Sequence, residues 1–342
     1  MTHPLDLPAD ALATYLEAHV DGFRGPLTAT KFKGGHSNPT YRIDAASGTY
    51  VLRRKPPGAL LPSAHAVDRE FRVLQALHGG PVPVARPLHL CEDTSVIGAM
   101  FYLMAHVDGR IFWDPSLPDC DPAVRGAHYD AIVDTLAALH AIDPAAVGLA
   151  DFGKPGNYFA RQLRRWTEQY RASETRPIAA MDALIDALPP RCPADDGAVA
   201  LVHGDFRIDN LIFAPAAAGA PRVAAIVDWE LSTLGHPLAD LGYFCMALRL
   251  PRNPALPGLA GLDRAALGIP DEPALLARYA ERSGRAIPGD WPFVLAFSFF
   301  RLAAIAQGVA KRAEQGNASS EQATQAGRMV ELLAGMGLDA LG

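Results

Sequence analysis

Between Thr28 and Ala105 the apolar positions fall in short runs, Thr40 to Asp44, Thr49 to Arg53 and Phe101 to Ala105, separated by Gly, Pro and Asn. Alternation with period two over such lengths is the pattern of half-buried strands. One segment departs from it. From Ala64 to His78 the residues Val67, Phe71, Leu74 and Leu77 recur every three or four positions, which lays them along one stripe of a helix with Glu70 beside it. The pattern predicts a small antiparallel sheet carrying one helix.

After His106-Val107-Asp108-Gly109 the period lengthens. Ile132, Val133, Leu136, Leu139 and His140 mark one helix, Tyr158 to Tyr170 another, and Pro273 to Arg282 and Pro292 to Arg312 two more. Two short apolar runs among them, Ala198 to Val202 and Val223 to Val227, each end in a polar cluster, as strands do when they deliver residues to a site. Ala214 to Ala220 reads as a loose hairpin loop. A chain of 342 residues is long enough for two domains or one large two-lobed unit. The expected fold class is therefore α+β: a helical extension over residues 1–24, an antiparallel-sheet lobe over 25–106 and a mainly helical lobe over 107–342.

Composition narrows the function classes. Hydrophobic residues make up 49% and charged residues 20%, which is ordinary globular usage. The formal charge is -6, so there is no basic footprint for nucleic acid or an anionic membrane, and neither is expected as a partner. Cys91, Cys120, Cys192 and Cys245 form no C-x-x-C, which argues against a disulfide framework or zinc knuckle and favours a reducing cytoplasm. The first ten residues lack the basic start and apolar stretch of a signal peptide. The most apolar stretch, Trp291 to Phe300, runs ten residues before Arg301 interrupts it, short of the roughly 18 a bilayer span needs, and reads as a buried helix.

The strongest chemical signal is Leu201-Val202-His203-Gly204-Asp205-Phe206-Arg207-Ile208-Asp209-Asn210, followed 23 residues after Asp205 by Asp228-Trp229-Glu230 at the end of an apolar run. The form is H-x-D-x-x-x-x-N, then strand and Asp. Phosphoryl transfer from ATP needs these parts: a carboxylate to orient an attacking hydroxyl and take its proton, and an amide oxygen and second carboxylate to hold magnesium on the phosphates. Spacing assigns Asp205 as the base, and Asn210 and Asp228 as metal ligands. His203 braces the loop, and Arg207 either neutralises charge on the moving phosphoryl group or meets an anionic substrate.

These stretches, together with Lys33-Gly34-Gly35-His36-Ser37-Asn38 and Tyr50-Val51-Leu52-Arg53-Arg54-Lys55-Pro56, resemble the aminoglycoside phosphotransferase and choline kinase-like family, relatives of protein kinases. The likeness covers roughly residues 25 to 310 and is strongest to the branch found alone in bacteria or fused to acyl-CoA dehydrogenases. It implies a two-lobed protein kinase-like fold, ATP and Mg2+ as cofactors, and a small-molecule hydroxyl as acceptor. By that resemblance Gly34, Gly35, His36, Ser37 and Asn38 form the turn over the phosphates. The following strand supplies a cation held by Glu70. The aligned residue is Arg53 where kinases carry lysine; strand alternation points Arg53 and Lys55 one way and Arg54 the other, leaving Arg53 or Lys55 as the phosphate contact. Met104 to His106 would pass the adenine. Glu230 assists at magnesium, contacts substrate or stands behind the ligands, and Asp240 caps a helix or braces the catalytic loop.

The branch likeness favours a hydroxy acid or its CoA thioester as acceptor, with a pathway link to acyl-CoA dehydrogenase. An aminoglycoside, choline or homoserine-type acceptor is the enzyme alternative, and an ATP-binding pseudokinase the non-enzyme one. There is no G-x-x-x-x-G-K-S/T, no G-x-S-x-G, no H-E-x-x-H and no A-P-E, which excludes at motif level P-loop NTPases, α/β-hydrolases and zinc hydrolases, and weakens protein-kinase activity.

Overall fold

The computed structural model describes residues 7–32, 38–56, 65–253, 257–312, 314 and 320–342. The chain packs as two compact units: Met1–Phe112 with Val147–Leu149 and Asp209–Ser232, and Trp113–Ala146 with Ala150–Ile208 and Thr233–Gly342. The sequence pattern divides the chain after residues 24 and 106; beyond residue 112 the first unit also takes in Val147–Leu149 and Asp209–Ser232, the latter placing one strand pair.

The first unit holds α1 (Ala9–His19), β1 (Leu27–Lys31), β2 (Thr40–Ala45), β3 (Gly48–Arg54), α2 (Val67–Leu77), β4 (Pro87–Cys91), β5 (Phe101–Ala105) and β6 (Arg110–Ile111). Strands one to five form an antiparallel sheet in the order β1-β2-β3-β5-β4. Register decides what each face carries, because partners across an antiparallel ladder share a face. Tyr41, Leu52 and Leu103 align on one face, and with Ile43 and Phe101 they bury Leu12 and Leu16 of α1. Thr40, Arg53 and Tyr102 align on the other. There α2 buries Val67, Phe71, Leu74 and Leu77, the stripe read from the sequence, and with them Val73 and Glu70.

The second unit begins with α3 (Pro122–His140), capped by the Asp121 carboxylate accepting from the Ala123 N–H, then α4 (Tyr158–Ser173), α5 (Ala179–Ala187) and β7 (Ala200–Val202). The chain then returns to the first unit as β8 (Leu211–Phe213) and β9 (Val223–Ile226), which with β6 make a three-stranded antiparallel sheet. Gly109 permits this: a Cβ there would sit 2.3 Å from the Phe213 carbonyl oxygen. In the second unit β10 (Thr233–Gly235) pairs with β7, and α6 (Leu238–Arg249), α7 (Glu272–Ser283), α8 (Trp291–Arg312) and α9 (Ser320–Leu341) follow. A Cβ on Gly242 of α6 would lie 2.5 Å from Val294 Cγ1, so glycine sets the close approach of α6 to α8.

Two expectations are corrected. The helix expected over Pro292 to Arg312 is α8, 22 residues and buried as expected, but its apolar character continues past Arg301: by length and composition it is long and apolar enough to cross a membrane, with 72% of that window buried within the fold. The sequence also left α5, α6 and α9 undrawn. For α6 the reason is physical: Leu238 to Met246 are all buried, so no apolar stripe exists to carry a period.

Candidate active site

In the first unit, β3 and β5 bring Arg53 and Tyr102 side by side under α2. Arg53 is 8% exposed and Glu70 1%. Arg53 Nε lies 2.8 Å from Glu70 Oε2, and Nη2 lies 2.5 Å from Asp228 Oδ1 and 3.7 Å from Glu230 Oε2. A planar guanidinium can face several carboxylates in this way, which a lysine point charge cannot. Burial works to lower the Arg53 pKa, but the charges of Glu70, Asp228 and Glu230 outweigh it and the net shift is upward. Burial in turn pushes the Glu70 carboxyl up, opposed by Arg53 and by hydrogen bonds donated from Asn38 Nδ2 (2.7 Å) and the Tyr102 hydroxyl (3.1 Å). Lys55 lies 3.7 Å from Asp68 instead, and Arg54, on the opposite face, is buried, which lowers its pKa.

Asp228 follows β9 with φ of 66°, the left-handed region an aspartate tolerates better than most residues, and Trp229–Leu231 form a short turn behind it. The Val227 N–H donates to the Asn210 carbonyl at 2.9 Å, one step beyond the Leu211 and Ile226 pair. Asn210, 8% exposed, and Asp228 thus lie at the same end of the β8 and β9 ladder. Met104 pairs with Val51, and the His106 ring faces Asp108 at 3.2 Å. Asn38 is 1% exposed with its amide given to Glu70 and its Oδ1 3.0 Å from His65, so its side chain serves the ion pair. Gly34, Gly35, His36 and Ser37 lie outside the described residues.

In the second unit the loop after β7 is held from inside. The His203 N–H donates to Asp240 Oδ2 at 2.6 Å and the Gly204 N–H to Oδ1 at 2.8 Å, so one carboxylate of α6 spans two successive backbone donors. The Asp205 N–H donates to His203 Nδ1 at 3.2 Å. His140 of α3 places Nε2 3.3 Å from Asp240, and its Nδ1 lies 2.8 Å from the Tyr279 hydroxyl of α7. A carboxylate only accepts, so Nε2 carries the proton and Nδ1 accepts from Tyr279. Burial works to raise the Asp240 carboxyl, but the His140 hydrogen bond, the two histidines and the Gly204 N–H bring it below its usual value. Asp205 is anchored yet reachable, its side chain 23% exposed, with Arg207 Nε 3.4 Å from Oδ1. Tyr243 of α6 hydrogen-bonds Asp205, and burial, then the Asp205 charge, push its phenol up.

The sequence motifs named Arg53, Glu70, Asp228 and Glu230, which converge, and His203, Asp205, Arg207 and Asp240, which form a second group. Tyr102, His65, His140, Tyr279 and Tyr243 carried no motif. Only register would have flagged Tyr102, as the residue opposite Arg53.

Comparison with known proteins identifies the family. Mouse acyl-CoA dehydrogenase family member 10 is 48% identical over 97% of this chain and 31% of that protein. Human acyl-CoA dehydrogenase family member 11 is 43% identical over 96% of this chain and 42% of that protein, so the chain spans less than half the length of these curated relatives. A crystal structure from Ralstonia eutropha, of a protein provisionally described as an aminoglycoside phosphotransferase, is 50% identical with TM-score 0.88 over 98% of each chain. Spectinomycin phosphotransferase bound to ADP and spectinomycin has TM-score 0.64 over 98% of each chain at 12% identity, a likeness of fold alone. The fold is thus the kinase-like α+β class expected from the sequence. The model of the phosphotransferase enzyme family matches residues 28–296, and the chain belongs to that family.

Proposed function

We propose that the protein transfers the γ-phosphoryl group of ATP, with magnesium, to a hydroxyl of a small metabolite. The observation that carries this reading is the buried Arg53 meeting Glu70 and Asp228 together, at 2.8 and 2.5 Å. Phosphoryl transfer requires a cation for the phosphates held by a helix acid, beside the carboxylate that binds the metal. Arg53 serves as that cation in this reading, in preference to Lys55, whose partner is Asp68.

Asp228, Asn210 and Glu230 offer oxygen donors only, which suits magnesium, an ion that takes one or two carboxylates and completes its shell with phosphate and water. Among the described residues no group of three or more His, Cys, Asp or Glu is placed to hold a metal ion by itself. When bound, magnesium neutralises charge on the phosphate oxygens. Asp205 orients the acceptor hydroxyl and takes its proton. The Tyr243 hydrogen bond and Arg207 keep the Asp205 carboxylate aimed, and Asp240 fixes the loop backbone through two N–H groups. Arg207 also stabilises charge developing on the transferred group.

A hydroxy acid or its CoA thioester is the acceptor class we favour, on the similarity to proteins named acyl-CoA dehydrogenase family members. That Cys91, Cys120, Cys192 and Cys245 form no disulfide with one another fits a reducing cytoplasm. The test is ADP release with Mg-ATP against hydroxy acids, their CoA thioesters, aminoglycosides and choline, with Asp205→Asn as control. Substrate-dependent release falling at least about a hundredfold in the variant, with ADP binding retained, is expected. Equal turnover by Asp205→Asn would overturn the assignment, and Mg-ATP binding without turnover on any acceptor would favour the pseudokinase.

A further inference from the structure

Arg301 sits in the middle of α8, where Phe297 to Phe300 and Ala303 to Ala304 are buried around it, and it is itself 6% exposed. Among the described residues it has neither an ion-pair nor a hydrogen-bond partner. Its guanidinium carbon instead lies 5.0 Å from the Tyr243 ring centroid and 5.5 Å from that of Trp166 on α4. Trp166, 7% exposed, also has no acceptor for its buried Nε1–H. Taking a cation out of water without a counter-charge is unfavourable, and a ring face offsets only part of that cost. Two rings do not close that gap, and a methionine or leucine would fill the same space without the penalty. The Asp205 carboxylate is engaged with Arg207 and Tyr243 and leaves Arg301 unpaired.

The arrangement has a direction. Tyr243 touches Asp205 at its hydroxyl and Arg301 at its ring, so one tyrosine spans from the proposed base to the unpaired cation. A molecule that presents a hydroxyl to Asp205 and extends along Tyr243 would bring its other end to the Arg301 guanidinium, which lies over the Trp166 ring. We propose that Arg301, with Trp166, is the specificity determinant for the acceptor, binding an acyl oxygen: the carboxylate of a hydroxy acid or the thioester carbonyl of its activated form. This rests on the phosphotransferase reading and selects within it, since choline and aminoglycosides would bring a second cation to Arg301.

The experiment compares binding of a hydroxy acid, its CoA thioester and the diol of the same chain length, by calorimetry on the full chain, with ADP titrated separately. Wild type is expected to prefer the acid or thioester over the diol by about tenfold to a hundredfold, the range of a charge-assisted hydrogen bond. The better ligand of the two identifies the source of the acyl oxygen. Arg301→Met should bring all three within about twofold of one another while ADP binding stays unchanged. Arg301→Lys keeps the charge and loses the fork; it should retain part of the preference, and it is the deciding variant if Arg301→Met does not fold. A diol bound as well as the acid by wild type, or a full acid preference in a folded, ADP-binding Arg301→Met or Arg301→Lys, overturns the proposal. Phosphoryl transfer to acids regardless of Arg301 would sink this inference alone. An Arg301-dependent acid preference without transfer to any acceptor would sink the kinase reading and leave the site standing.

Discussion

Arg53 and Glu70 form a nearly dry pair, and what such a pair contributes is best seen when it is broken. Removing one partner strands the other charge, typically at about 3–5 kcal/mol, whereas removing both with shape retained costs far less. Arg53→Met is therefore expected to lower stability by several kcal/mol, and Arg53→Met with Glu70→Gln to recover a good part of it, as read by urea unfolding. Arg53→Lys should fold more stably than Arg53→Met yet bind ATP at least about tenfold more weakly than wild type, because lysine cannot reach Glu70 and Asp228 with separate nitrogens. An ATP titration equal to wild type would remove Arg53 from the nucleotide reading. The sequence alone left Arg53 and Lys55 even, because alternation puts both on one face of β3. What separates them is the side of α2 each acid occupies: Glu70 faces inward and is 1% exposed, whereas Asp68, two residues earlier, has a side chain that is 44% exposed.

Among the elements, the helices of the second unit pack through glycine at defined points. Gly242→Ala would place a methyl 2.5 Å from Val294 Cγ1 and 3.1 Å from Ser298 Oγ, so α6 must lift from α8. The expected cost is about 1–3 kcal/mol, read as a lower Tm, and because α6 carries Asp240 and Tyr243 the catalytic rate should fall with it. Gly335 in α9 is the contrast. A Cβ there meets nothing within 4 Å, and Gly335→Ala should raise stability by about 0.5–1 kcal/mol through the helix propensity of alanine. A Tm unchanged in both variants would contradict this account of the packing. The two helices also differ in legibility. α2 and α4 show an apolar stripe because one side of each meets water; α6 is buried all round, so its sequence carries composition without period.

At the scale of the whole molecule, pH tests the buried network. Asp240 is fully buried, with its pKa held below the ordinary aspartate value of 3.8 chiefly by His140 against the opposing effect of burial. A carboxyl with a depressed folded pKa contributes stability in full above its unfolded pKa, and that contribution is lost as pH falls through the folded one. Wild type is expected to lose stability more steeply than Asp240→Asn below about pH 4, by urea unfolding at a series of pH values. Parallel curves would mean that the network does not depend on the charge of Asp240. The order of the chemistry was legible in the chain itself: the H-x-D-x-x-x-x-N loop, the strand that follows, and the helix acid ahead of them. Spacing along the backbone fixes which residues a turn or strand end can present together, so short-range patterns carry that much. The partners came from packing. Tyr102 beneath Glu70, His140 and Tyr279 behind Asp240, and Tyr243 between Asp205 and Arg301 are contacts between residues far apart in sequence, some more than a hundred positions. Each exists because a cross-strand register or a helix crossing brought the two together, and neither leaves a local period to read. Arg301 shows the division most plainly: in the sequence it is a charge interrupting an apolar run, and only burial between two rings, without an anion, turns it into a recognition site.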